Sequence, residues 1–412
     1  MPYVPINQLK TGMVLAADVM DASGRLLLAQ GKAVTANHMS VFKMWGVPEV
    51  SIQNSDEQPA EGDNRLDPGL MRQVAEELRS YFAANDLTHP AVAEIFRQAV
   101  VHRSRHAGRF DKADPDSMPS NSIQRPLRSA GTELRKKIGN RDIKLPEIPT
   151  IVFKLNDTIA DPFSSADDIA QVISKSPGLS ALLLRIVNSA FYGFPSRIDS
   201  LARAVTIIGS KEVTALAVGI STMEIFKDIP KTVFDMRAFT QHSLACGVLA
   251  RILAANGNIR NTEQMFVSGL LHDIGRLVIF KYYPQAAASM LSARSTGDLS
   301  LSDCEKAVLG FRHTDIAGDL FEKWKFPVAL IQNVVFHHRP SMAQDTVKAG
   351  IVHLADIIAH SLGEGKSGEW RLPRMDPAVW DKLRLSPQVL STIIPQAAHH
   401  LDFLTTVIQG EG

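Results

Sequence analysis

The sequence predicts a mainly α-helical protein, an all-helical domain preceded by a small α+β N-terminal module. Three observations predict it. From about residue 127 onward apolar residues recur with the helical repeat, as in Leu179, Leu182, Leu183, Ile186 and Val187 at i, i+3, i+4, i+7 and i+8. Those segments carry capping residues, and no alternating pattern interrupts them. Strand-like runs joined by a turn are confined to the N-terminal stretch.

Taken in order, Met13 to Val19 reads as a strand, Asp21-Ala22-Ser23-Gly24 as a turn and Arg25 to Leu28 as the hairpin partner. Thr35 caps a predicted helix that runs to Trp45 and stops at Gly46, and Val50 to Ile52 reads as a third strand. Residues 1–53 are therefore expected to be a small β-rich module. Residues 54–127 hold two helical patterns, Pro68 to Ala84 and Pro90 to His102, then a stretch from Ala107 to Pro126 with the composition of a flexible linker. Residues 128–365 are dense with helix signals and divide into halves at 128–230 and 231–365.

The second half carries a helix from Met236 to Ala254 and one capped by Asn261 or Thr262, with Gln264 completing an Asn-x-x-Gln box, and ending at Gly275. A helix capped by Ser302-Asp303-Cys304-Glu305, one beginning at His313, one from Pro327 to His337-His338 and one from Thr346 to Ser361 follow. Residues 366–412 end the chain with one or two helices between Pro377 and Ile408.

A chain of 412 residues exceeds one ordinary core and predicts two or three domains. Its net charge of +1 argues against a broad nucleic-acid footprint, so no DNA or RNA partner is expected. The two cysteines, Cys246 and Cys304, stand far apart in no Cys-x-x-Cys pattern, as in a protein with reduced thiols. Met1 to Pro5 shows no secretory pattern and no apolar run reaches membrane-spanning length, so a cytoplasmic protein with no membrane contact is expected.

Metal-capable side chains recur through the second half: His242, His272 with Asp273, His313, His337 with His338, and Asp356. Singly each has a bland explanation, such as a core histidine or a polar helix end. Asp356 is the hardest to dismiss, because Val352, Ala355 and Ala359 share its helix face and a lone buried carboxylate is costly; His353 is the neutral candidate for its partner. Together these nitrogen and oxygen donors suit iron, manganese or zinc better than calcium, and could hold two divalent ions. Two ions could generate a bound hydroxide and clamp a phosphoryl group, with Asp273 at the reacting centre and Arg276 placed to meet a phosphate oxygen. In the loop at Asn188 to Pro195, the aromatic Phe191, Tyr192 and Phe194 read either as a plug between the helical halves or as a partner surface.

The run Leu270-Leu271-His272-Asp273-Ile274-Gly275-Arg276-Leu277 resembles the HD superfamily of metal-dependent phosphohydrolases. Residues 128–365 are more narrowly similar to an HDOD domain, the HD-related output domain of bacterial signalling proteins. That likeness is carried by Leu145 to Pro149, Leu182 to Pro195, Ala204 to Gly209, Leu270 to Leu277, Trp324 to Pro327, His337 to Pro340 and Leu354 to Asp356. The resemblance implies an all-helical fold and signalling through a protein partner or self-association, and it leaves open a nucleotide or phosphate ligand. HD-GYP phosphodiesterases, which cleave cyclic di-GMP, follow their His-His pair with a Glu and a Gly-Tyr-Pro run. Here Arg339-Pro340-Ser341-Met342 stands instead, so cyclic di-GMP hydrolysis is not expected.

Overall fold

The computed structural model describes residues 3–6, 9–20, 26–35, 38–39, 41–42, 47, 49–53, 66–107, 145–189, 191–194, 196–231, 233–292 and 300–409. In the N-terminal module β1 (Tyr3–Pro5) pairs antiparallel with β4 (Glu49–Ser51), and β2 (Val19–Met20) pairs antiparallel with β3 (Leu26–Leu28). The expected strand from Met13 to Val19 is broken. Val14 and Leu15 make isolated bridges to Ala33 and Ile52, and the chain bends before β2 begins. The Asp18 carboxylate accepts the Gln30 N–H at 2.6 Å on the opposing segment. β1 was not expected, because a three-residue strand beside prolines carries no alternation to read. Ile6, Leu15, Val34, Phe42, Val50 and Ile52 form the module's own core. Thr35 accepts the His38 N–H as the expected cap, while the predicted turn at 21–24 and most of the helix to Trp45 lie outside the described residues.

The rest is helical. α1 (Pro68–Tyr81) and α2 (Pro90–Arg105) precede the expected linker at 107–126, nearly all of which lies outside the described residues. There follow α3 (Thr150–Ala160), α4 (Ala166–Ser174), α5 (Pro177–Val187), α6 (Leu201–Ile208) and α7 (Ser210–Glu224). The second half contains α8 (Met236–Asn256), α9 (Thr262–Leu271), α10 (Ile274–Tyr282), α11 (Pro284–Ser292), α12 (Leu301–Leu309) and α13 (His313–Lys323). α14 (Val328–Val335), α15 (Thr346–Leu362), α16 (Pro377–Leu383) and α17 (Pro387–Gln409) complete it.

One continuous apolar core runs from Leu78 in α1 and Ile95 in α2 to Ile393 and Leu401 in α17. The divisions at 127 and 365, drawn on composition, therefore separate segments that pack together. Arg103 of α2 donates to the Ser361 and His360 carbonyls at the C-terminus of α15, the second of which also accepts the Gly363 N–H. The aromatic loop after α5 is built in as well. Phe191 packs on Phe266 of α9 and His400 of α17, with the Arg251 guanidinium over its ring and that of Tyr192.

Three expected helix ends differ in mechanism. Asn261 precedes α9 in a left-handed conformation and makes no side-chain cap bond. Ser300, not Ser302, caps α12 through the Asp303 N–H, so Glu305 is free for another role. Gly275 does not end a helix. It lies in the first turn of α10, against the backbone of His313, where a Cβ would overlap the His313 carbonyl oxygen.

Candidate metal centre

The His-Asp pair stands at a break between two helices. His272 is the C-cap of α9 and Asp273 the N-cap of α10. Two close backbone approaches place it. α9 lies directly against α8 because at Gly269 any side chain would strike the Cys246 carbonyl, and α10 meets α13 at Gly275. These contacts bring α8, the α9–α10 break, the start of α13, the turn after α14 and the middle of α15 to one buried point.

The ligand-capable atoms form two groups, each with its donor atoms within 4.8 Å of one another: His242, Cys246, His272 and Asp356, and Asp273, His313, His337 and His338. All the residues named in advance for metal thus fall in one of the two. Every member is buried except His338, which is partly so. In the first group the Asp356 Oδ1 lies 3.3 Å from His242 Nε2 and 3.4 Å from His272 Nε2. In the second the Asp273 Oδ1 lies 3.1 Å from His313 Nε2 and 3.8 Å from His337 Nε2. Asp273 Oδ2, on the other side, is 3.3 Å from His272 Nε2, so one carboxylate stands between the two groups.

The imidazole tautomers follow from the outer hydrogen bonds. His272 Nδ1 lies 2.7 Å from the Gly269 carbonyl and His337 Nδ1 2.7 Å from the Val334 carbonyl. A carbonyl only accepts, so both Nδ1 atoms carry protons and Nε2 is the nitrogen each ring turns to the centre. His313 Nδ1 is held 2.6 Å from Glu305 Oε2 in the same way. A carbonyl or carboxylate behind a ring, with the far nitrogen left over, is the arrangement that orients histidine toward a metal. With those nitrogens unprotonated, the Nε2 atoms of His272, His313, His337 and His338 and the Oδ1 atoms of Asp273 and Asp356 are buried without a hydrogen-bond partner. Buried polar atoms are rarely left so, and six of them facing two small volumes fit bound cations.

The electrostatics agree. Asp273, Asp356, Glu305 and Glu369 are buried around a single guanidinium, Arg276. Burial opposes their ionisation, yet Arg276, His272 and His313 hold Asp273 well below the ordinary carboxylate range, and His360, His242 and His272 do so for Asp356. Burial likewise disfavours a charged His272, but Asp273 and Asp356 outweigh it and raise its pKa to about 10. Burial and the neighbouring His272 push His337 down to about 3. Burial raises Glu369 to about 7. An excess of buried negative charge is stabilised by cations or by protons held on the ring nitrogens.

Arg276 is not where a phosphate could reach it. The side chain is 1% exposed and fully engaged: Nη1 donates to Asp273 Oδ2 at 2.8 Å and to Ser367 Oγ at 2.7 Å, Nε to Glu305 at 3.2 Å and Nη2 to Glu369 at 2.6 Å. It positions Asp273. His353 is not the partner of Asp356 either, since its Nε2 accepts the Asp376 N–H that begins α16. Five contributors were missed in the sequence, Cys246 among them. Glu305 fell in a misplaced capping box, Glu369 and Ser367 lie in an irregular segment, and His360, 3.3 Å from Asp356, lies near the end of the helix expected from Thr346 to Ser361. The i+4 spacings of His242 to Cys246 and Asp356 to His360 were signals that could have found two of the residues around the first group.

Residues 145–340 match the sequence model of the HDOD domain. The chain carries an HDOD domain. An uncharacterized protein of Treponema pallidum (strain Nichols) is 23% identical over 251 residues, covering 60% of this chain and 48% of its own length. The chain therefore spans about half the length of the curated relative it matches. Among solved structures, a candidate phosphohydrolase of Shewanella amazonensis SB2B superimposes with a TM-score of 0.52 at 23% identity, over 69% of this chain and 99% of that one. A candidate signal-transduction protein of Marinobacter aquaeolei VT8 does so with a TM-score of 0.52 at 20% identity, over 76% of this chain and 66% of its own. These likenesses show the HDOD fold. No helix among the described residues is long and apolar enough to cross a membrane.

Proposed function

We propose that this protein is a bacterial cytoplasmic regulator whose HDOD domain holds iron, manganese or zinc in its core and signals through contacts with a protein partner or a second copy of itself. The observation that carries this reading is the combination of orphaned, inward-facing donor atoms with an arginine that is locked away from any substrate. When bound, the ions would supply Lewis acidity and a hydroxide source. Around them, this chain's residues orient and enclose: Glu305 fixes His313, Arg276 fixes Asp273, and the backbone carbonyls of Gly269 and Val334 fix His272 and His337. Nothing in that set cradles a cyclic dinucleotide. Positioning supplies much of the rate of such reactions, so ions without a substrate cradle are expected to be nearly inert.

A second reading, a metal-dependent phosphohydrolase acting on a nucleotide-like phosphate, is favoured by one feature. The Asp273 carboxylate stands between the two groups, 3.3 Å from His272 and 3.1 Å from His313, so the two donor sets are adjacent, as a two-ion hydrolytic centre would require. Assays of the purified protein, loaded in turn with iron, manganese and zinc, against cyclic di-GMP and simple phosphate esters separate the two. The regulator reading expects no turnover of cyclic di-GMP and at most weak ester hydrolysis. Robust metal-dependent turnover that disappears in Asp273→Ala would establish the enzyme instead.

A further inference from the structure

Asp273 cannot easily complete the first group. Its Oδ2 is tied to Arg276 at 2.8 Å and its Oδ1 is turned toward His313, leaving His242, His272 and Asp356 one donor short of a tetrahedron. A sulfur stands beside these three donors. Cys246 sits one helical turn after His242 on the same face of α8, fully buried, with Sγ 3.5 Å from His242 Nε2. Four donors about 2.0–2.1 Å from a zinc-like ion stand about 3.3–3.4 Å apart, and a sulfur about 2.3 Å out stands slightly farther. The measured separations are 3.3 Å from His242 to Asp356, 3.4 Å from His272 to Asp356 and 3.5 Å from His242 to Cys246. Three of the six edges thus have the lengths of such a tetrahedron, and the other three lie within 4.8 Å. Moreover, the His272 and Asp356 atoms facing that space are buried and unpartnered.

We propose that Cys246 is a thiolate ligand, so that the first metal position is a closed site of two histidines, one cysteine and one aspartate with a preference for zinc-like ions. The second position, built from Asp273 and three histidines, has only nitrogen and oxygen donors. This inference rests on the metal reading above. On coordination the thiol proton leaves to solvent and the sulfur lone pair enters the metal bond, with no change of oxidation state. A soft sulfur donor in only one of two adjacent positions makes them chemically unequal. The closed position would be structural and the other the one with room for exchange, since His338 is its partly exposed member.

The test is optical. The full chain is stripped of metal and titrated with cobalt(II), and its visible ligand-field and near-ultraviolet absorption are recorded together with bound cobalt. The expected result is a thiolate-to-cobalt charge-transfer band in the native protein and in Cys304→Ser, the only other cysteine having been removed. In Cys246→Ser the band is lost, and affinity for the tighter cobalt falls at least about tenfold, as a lost direct ligand should exceed the 10–100-fold effect of supporting residues. The Cys304→Ser spectrum assigns the band even should Cys246→Ser fail to fold. Bound cobalt without a charge-transfer band in the native protein overturns the thiolate ligand and leaves the metal reading standing. No bound cobalt overturns both.

Discussion

Arg276 shows how far a single residue's neighbours decide its role. In the sequence it follows the His-Asp pair and invites a phosphate. In the fold it is the one cation among Asp273, Glu305 and Glu369. Its partners Glu305, Ser367 and Glu369 lie 29, 91 and 93 residues away, so no local pattern could reveal the engagement. His272, Asp273 and Asp356 were legible because an adjacent His-Asp pair and a carboxylate on an apolar helix are unusual in themselves. Glu305 was not, because a glutamate near a helix start has an ordinary explanation as a cap. Removing Arg276 leaves three buried carboxylates without their cation, and breaking a buried pair on one side costs about 3–5 kcal/mol. Arg276→Ala should lose about that much stability in denaturant unfolding of the metal-free protein. A loss below about 1 kcal/mol would mean the guanidinium is not what holds the cluster.

Helices bring the site together through their smallest residues. α9 rests on α8 at Gly269 beneath the Cys246 carbonyl, and that contact sets where His272 emerges relative to His242. The helices themselves were readable: those expected from Pro68, Pro90, Met236 and Thr346 begin at those residues. What periodicity could not supply was their depth of approach, since a glycine inside a helix reads as a weakness rather than as a contact point. Gly269→Ala should therefore push α8 and α9 apart, destabilise the fold by about 1–3 kcal/mol as overpacking does, and lower metal affinity alongside. Unchanged stability and affinity would show that the two helices tolerate a wider spacing.

Across the whole molecule, a single core joins α1 and α2, before the HDOD range, with α16 and α17, after it. Composition divided these segments because the stretch from 107 to 126 reads as a linker, whereas packing unites them through contacts such as Arg103 with the end of α15. The N-terminal module keeps a core of its own. At the centre, the buried, unpartnered atoms of His272, Asp273, His313, His337 and Asp356 fit a bound cation. The most direct test is the metal content of the full chain purified without added metal or chelator, measured by mass spectrometry beside Asp273→Ala. One or two iron, manganese or zinc ions per native chain, and at least about a tenfold lower content in the folded variant, is the predicted result. A metal-free native chain, or equal content in the two proteins, would contradict it.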